Sequence, residues 1–93
     1  MIKHVVIWKL KEIEDGPKLK KEIDSLNGQI PGLISIETGL DLNRSSAAGD
    51  LILISIHESK DALDLYQDHP LHVKVRDKIV EAVTSRIVVD FEV

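Results

Sequence analysis

In the stretch YQDHPLHVKV, residues 66–75, the single tyrosine of the chain precedes two histidines, giving Tyr66, His69 and His72. The other histidines are His4, in IKHVVIWKL, and His57, in DLILISIHE. Imidazole changes charge near neutral pH, so a histidine held neutral can take a proton from a bound molecule. A phenol can donate a hydrogen bond to a carbonyl oxygen. Together they suit proton transfer beside a carbonyl group, with no cofactor. Other chemistries lack their residues. The absence of cysteine removes disulfides, thiolate metal sites and cysteine nucleophiles. No histidine pair has the i, i+4 spacing of a helical zinc site, and no metal is expected. Ser45, Ser46 and Ser59 stand outside any G-x-S-x-G frame, and the small residues at 47–49 form no phosphate-binding pattern.

Whether the candidates converge depends on the elements that carry them. Residues 2–10 are rich in β-branched side chains and read as a strand with Ile2, His4, Val6, Trp8 and Leu10 on one face. Asp15-Gly16-Pro17 marks a helix start. Leu19, Ile23, Leu26 and Ile30 then form one apolar stripe, and Pro31-Gly32 ends the helix. Residues 33–42 read as a second strand with Ile34, Ile36, Thr38, Leu40 and Leu42 aligned, and 43–49 as a mobile loop. The third strand, 50–58, is apolar on both faces. Ser59 caps a helix to about Asp68, with Ala62, Leu63 and Tyr66 facing inward. Pro70 disfavours helical geometry at His69, so a break falls there, and a second helix runs to about Ser85. Residues 86–93 form a fourth strand.

The order strand, helix, strand, strand, helix pair, strand is that of a ferredoxin-like α+β fold: one four-stranded antiparallel sheet with helices on one face. The whole chain, 1–93, is one domain. Helices cover one face only, yet the third strand is apolar on both and the first carries Val5 and Ile7 opposite Trp8. An exposed patch of that kind marks an interface, so a homodimer through the open sheet face is expected.

Composition narrows the partners. Twelve Lys and Arg against 16 Asp and Glu give a net charge of −4, against the concentrated positive charge that nucleic acid requires. Trp8, Tyr66 and Phe91 are the only aromatics, too few for a base-stacking platform. The longest apolar run, LILI at 51–54, is far below the roughly 18 residues of a membrane span. No signal peptide is legible at the amino terminus, and a cytoplasmic location is expected.

Within this frame His72 lies in the first turn after Pro70 and shares a face with Val75, Ile79 and Val83. Burial and the positive end of the helix both favour its neutral form. Tyr66 faces inward from the preceding helix, and His4 faces inward from the first strand. Each also has a plain structural reading, as a core side chain with one hydrogen bond. His69, directly before the proline, reads as a helix cap. His57 reads as the solvent edge of the third strand, without a role.

The start MIKHVVIWKLK, the IPG at 30–32, the strand DLILIS, the segment ALDLYQDHPLHVKV and the ending VVDFEV together resemble the stress-responsive A/B-barrel (Dabb) family, nearly end to end. The resemblance implies a ferredoxin-like subunit whose dimer is a two-sheet α+β barrel with helices outside. Many family members have no assigned activity. One branch cyclises linear polyketides by cofactor-free aldol chemistry, and Tyr66, His72 and His4 stand where its motif has Tyr, His and His. The sequence departs from the pattern at His57, where an aromatic is more usual, and at Leu51, where that branch has a histidine. The expected function is a Dabb-type homodimer with a small-molecule pocket between sheet and helices. Two readings of the pocket stay open: a cofactor-free acid–base enzyme using Tyr66, His72 and His4, and a non-catalytic binding or protective module.

Overall fold

The computed structural model describes residues 1–93. Strand β1 (Ile2–Leu10) leads through a 3-10 turn into α1 (Gly16–Asp24). Strands β2 (Leu33–Leu40) and β3 (Leu51–His57) follow, then α2 (Lys60–Asp68), α3 (Pro70–Ala82) and β4 (Val83–Glu92). The sheet order is β2-β3-β1-β4 and every pairing is antiparallel. The three helices lie on one face of the sheet, as the element order predicts.

β1 is central because it is apolar on both sides, and it pairs along its length with β3 and β4. Val6 and Trp8 from β1, Leu51 and Leu53 from β3, Ile23 from α1 and Ile79 from α3 form the heart of the core. No helix is long and apolar enough to cross a membrane.

Three boundaries and the parity of one strand differ from the sequence reading; the simplest is the end of β2 at Leu40 rather than Leu42, which is 91% exposed. The first helix stops at Asp24 rather than running to Ile30, because Ser25, Asn27 and Gly28 favour turns over helix. Gly28 takes a positive φ of 76°, open to glycine at little cost. Leu26 and Ile30 stay buried all the same, so the apolar stripe records burial beyond the helix. An irregularity between Leu33 and Ser35 shifts the parity of β2: Leu33 and Ile36 are buried, while Ile34 is 49% exposed. Finally α3 ends at Ala82 and β4 begins at Val83, where β-branched Val83 and Thr84 favour extended backbone. Val83 still packs against the core, from the strand.

The loop expected at 43–49 is bridged by side chains. Arg44 reaches both Asp41 (3.0 Å) and Asp50 (2.7 Å), and Asp50 also accepts the Leu10 N–H at 2.7 Å. That backbone donor, then the guanidinium, holds the Asp50 carboxyl below its ordinary pKa.

Gly32 carries the turn into β2 with a φ of +82°, and its carbonyl accepts the Glu58 N–H. A Cβ at this position would lie 2.7 Å from Cβ of Ala62 on α2. Both the left-handed backbone and the helix contact oppose a side chain. Gly32→Ala is expected to cost about 2–3 kcal/mol in urea unfolding. A change within about 0.5 kcal/mol, the range of ordinary surface substitutions, would contradict this packing.

Candidate functional site

The helix-facing side of the sheet brings its polar side chains together at one end. In register, His4 on β1 stands between Ser55 on β3 and Asp90 on β4, and His57 lies opposite Ile2. Above them, α2 supplies Tyr66 and α3 supplies His72. The break between the two helices sets their approach. His69 is extended (φ −64°, ψ 135°), and its Nδ1 accepts the Leu71 N–H at 3.1 Å, so it caps α3 as its position before Pro70 predicts. With Pro70 at the first helical position, His72 falls on the same face as the buried Val75 and Ile79.

Tyr66, His72 and His4 therefore converge. The ring centroids of Tyr66 and His72 are 4.3 Å apart, and His4 lies 6.2 Å from Tyr66. All three line one cavity of about 60 Å³, together with Trp8, Ile79 and other apolar side chains. It opens to solvent past Arg76, Val80 and Arg86, which are exposed.

The hydrogen bonds fix which atoms remain available. His72 Nδ1–H donates to the Gln67 carbonyl at 3.0 Å, because a carbonyl can only accept. In the neutral ring that leaves Nε2 without a proton. Burial lowers the His72 pKa; the Gln67 bond opposes that shift, while Arg76, His4 and Arg86 reinforce it. His4 Nδ1–H donates to Asp90 Oδ1, which orients the ring from the edge strand. The Tyr66 hydroxyl has no hydrogen-bond partner in the chain although the residue is 1% exposed. Burial also pushes its pKa up, so it stays a donor at neutral pH. Trp8 Nε1 likewise has no partner. A neutral base, a protonated phenol and an idle indole N–H thus border the same space.

His57 is the correction. It is not at a solvent edge but fully buried, packed 4.7 Å from the Tyr66 ring, with Nε2 and Ser55 Oγ 2.8 Å apart. Its Nδ1 has no partner. Burial above all, and then the nearby His4, depress its pKa to about 4. It backs Tyr66 and does not line the cavity. The parity of β3 carried the signal: Leu51, Leu53, Ser55 and His57 alternate onto the buried face. Asp90, by contrast, has no sequence signal, since only the β1–β4 register sets it beside His4. No three His, Asp or Glu side chains converge as a metal-ligand set.

A ferredoxin-like α+β domain with a polar-floored pocket between sheet and helices is thus the class that fold and site define. The sequence profile of the stress responsive A/B barrel domain matches residues 2–93, and the chain belongs to that family. Among solved structures it is similar to a dimeric ferredoxin-like protein of unknown function from Bacteroides fragilis, with 29% identity and a TM-score of 0.86 over 99% of this chain and 95% of that one. A Dabb family protein from Mesorhizobium loti shares 23% identity with a TM-score of 0.81 over 99% and 95% of the two chains. A hydroxynitrile lyase from Passiflora edulis shares the fold at 13% identity, with a TM-score of 0.84 over 99% and 92%. No curated protein matches the sequence. The family contains many members without an assigned activity, and no specific reaction follows from membership.

Proposed function

We propose that the protein is a homodimeric, cofactor-free acid–base catalyst for a small carbonyl compound bound between sheet and helices. The observation that carries this reading is the state of the Tyr66–His72 pair: an unprotonated His72 Nε2 and an unpartnered Tyr66 hydroxyl on one cavity. The Tyr66 O–H donates to the substrate carbonyl oxygen. His72 Nε2 removes a proton from the adjacent carbon, the C–H electron pair becomes the enolate, and the negative charge settles on the oxygen that Tyr66 holds. His4, oriented by Asp90, is the positioning residue of the cavity floor. The enolate can then be reprotonated or attack a second carbonyl. A cytoplasmic setting, which a cysteine-free chain fits, belongs to the same proposal.

The homodimer forms through the open sheet face, where Ile7, Ile87, Val89 and Phe91 are all exposed. The dimeric state of the similar Bacteroides fragilis protein supports this.

The test is hydrogen–deuterium exchange at the α-carbon of simple methyl ketones in D₂O, followed by NMR. His72→Ala is expected to slow enzyme-dependent exchange about 10²–10⁴-fold, and Tyr66→Phe by about 10²-fold or more. Exchange at the buffer rate with the native protein, or undiminished exchange in both variants, would overturn the catalytic reading. The mainly apolar cavity wall favours a second reading, ligand binding without turnover; it would show as saturable binding with no exchange.

A further inference from the structure

The floor of the cavity is explained by the acid–base reading, but its mouth is not. Arg76, on the exposed side of α3, and Arg86, on β4, both border the opening. Arg86 forms no ion pair in the chain. Arg76 has only its neighbour Asp77, with Nε and Oδ1 4.0 Å apart, a separation too long for a hydrogen bond. Elsewhere the chain neutralises its arginine: Arg44 is bound by Asp41 and Asp50. In a protein of net charge −4, two guanidinium groups without a hydrogen-bonded carboxylate therefore border one pocket. Register adds a constraint. Arg86 pairs with Trp8 across β1 and β4, so it projects on the helix-facing side of the sheet, toward α3.

We propose that the two arginines select a substrate whose carbonyl end enters the cavity while an oxyanion, a carboxylate or a phosphoryl group, stays at the mouth between Arg76 and Arg86. This rests on the acid–base reading of the pocket and names its substrate class. Size agrees: about 60 Å³ takes an acetyl-sized head and little more, which leaves the remainder of the molecule at the opening. The chemistry of recognition is the guanidinium fork, which matches a carboxylate or phosphoryl group with paired, charge-assisted hydrogen bonds.

A consequence for the base follows. Arg76 and Arg86 both disfavour a proton on His72, as does His4. The other titratable groups around the cavity are Tyr66 from α2, His57 from β3 and Asp90 from β4. Neutralising the two arginines with a substrate oxyanion lifts their share of that penalty. The anionic substrate thereby strengthens the base that acts on it.

The experiment is an NMR titration of the intact protein with 4-oxopentanoate and with its neutral amide, 4-oxopentanamide, monitoring the His72 and Tyr66 ring resonances. The acid is expected to bind about 10–100-fold more tightly than the amide. The double variant R76Q/R86Q is expected to abolish that preference by lowering the affinity for the acid to that for the amide. The imidazole titration of His72 is expected to move to higher pH with the acid and not with the amide. Titration with 2-oxopropylphosphonate separates the two oxyanion sources, since a site shaped for a phosphoryl group binds it more tightly than 4-oxopentanoate. Equal affinities for acid and amide, with both perturbing Tyr66 and His72, would overturn the arginine assignment and leave the carbonyl pocket standing. If neither compound perturbs those rings, the pocket reading itself fails, and the arginine assignment with it.

Discussion

Val89→Lys is expected to convert the protein from a dimer into a folded monomer. Val89 lies near the middle of β4, paired with Val5 on β1, which in turn pairs with Ile54 on β3. These three residues cross the open face of the sheet as one apolar row. In the isolated subunit Val89 is 56% exposed, and β4 is an edge strand, so a lysine there can carry its ammonium into water. The subunit loses less than about 1 kcal/mol of strand preference. In a twofold dimer the same substitution appears twice and leaves two unpaired charges in an apolar interface. Each costs several kcal/mol unless it finds a partner, so the dissociation constant should rise at least ~10³-fold. Sedimentation velocity at micromolar concentration reads both states, and circular dichroism reports whether the monomer stays folded. A native protein that sediments as a monomer, or a lysine variant whose dimer is as tight as before, would contradict the sheet-to-sheet assembly.

The second large effect is the pH dependence of folding. His57 has a pKa of about 4 when folded and near 6.5 when unfolded. Between those values the unfolded chain holds a proton that the folded chain does not. Stability is therefore complete above about pH 6.5, falls as pH drops, and levels off near pH 4. A difference of that size amounts to at most about 3 kcal/mol, against the 5–15 kcal/mol typical of a small domain. His72 is shifted in the same direction and adds to the slope. Asp50, lowered by the Leu10 N–H and Arg44, acts in a separate window, losing its contribution only as the pH falls below the ordinary carboxylate range. Urea unfolding from pH 7.5 to 4 is expected to show the decline. The double replacement Ser55→Ala with His57→Leu, which removes the imidazole without stranding its hydroxyl partner, should flatten most of it. An unchanged slope in that variant would show that His57 is not the acid-labile group.

Most of the scaffold was legible because it depends on local pattern. Ser59 caps α2 as its position predicts, with its hydroxyl accepting the Ala62 N–H, and His69-Pro70 divides the helices where the proline rule puts the break. The two-sided character of β3 was readable for the same reason, since alternation in a strand assigns faces directly. Boundaries were less secure where turn residues and apolar spacing disagreed. Leu26 and Ile30 kept the helical rhythm after the helix had ended, because burial and hydrogen bonding need not stop at the same residue. Simple alternation fails at Ile34 because the irregularity between Leu33 and Ser35 inverts the faces on its two sides.

The candidate site divides along the same line. Sequence alone determined that Tyr66 and His72 face inward from two helices separated by a proline break, and that His4 faces inward from β1. Periodicity fixes the direction of a side chain from its own element. Only the tertiary structure decided that the three rings border one cavity, that Asp90 orients His4, and that His57 lies buried behind Tyr66. It alone also set Arg76 and Arg86 at one opening, 10 positions apart in the chain and on different elements. Distances between elements depend on strand register and helix packing, which are settled by the whole core at once and leave no periodic trace in the residues that meet.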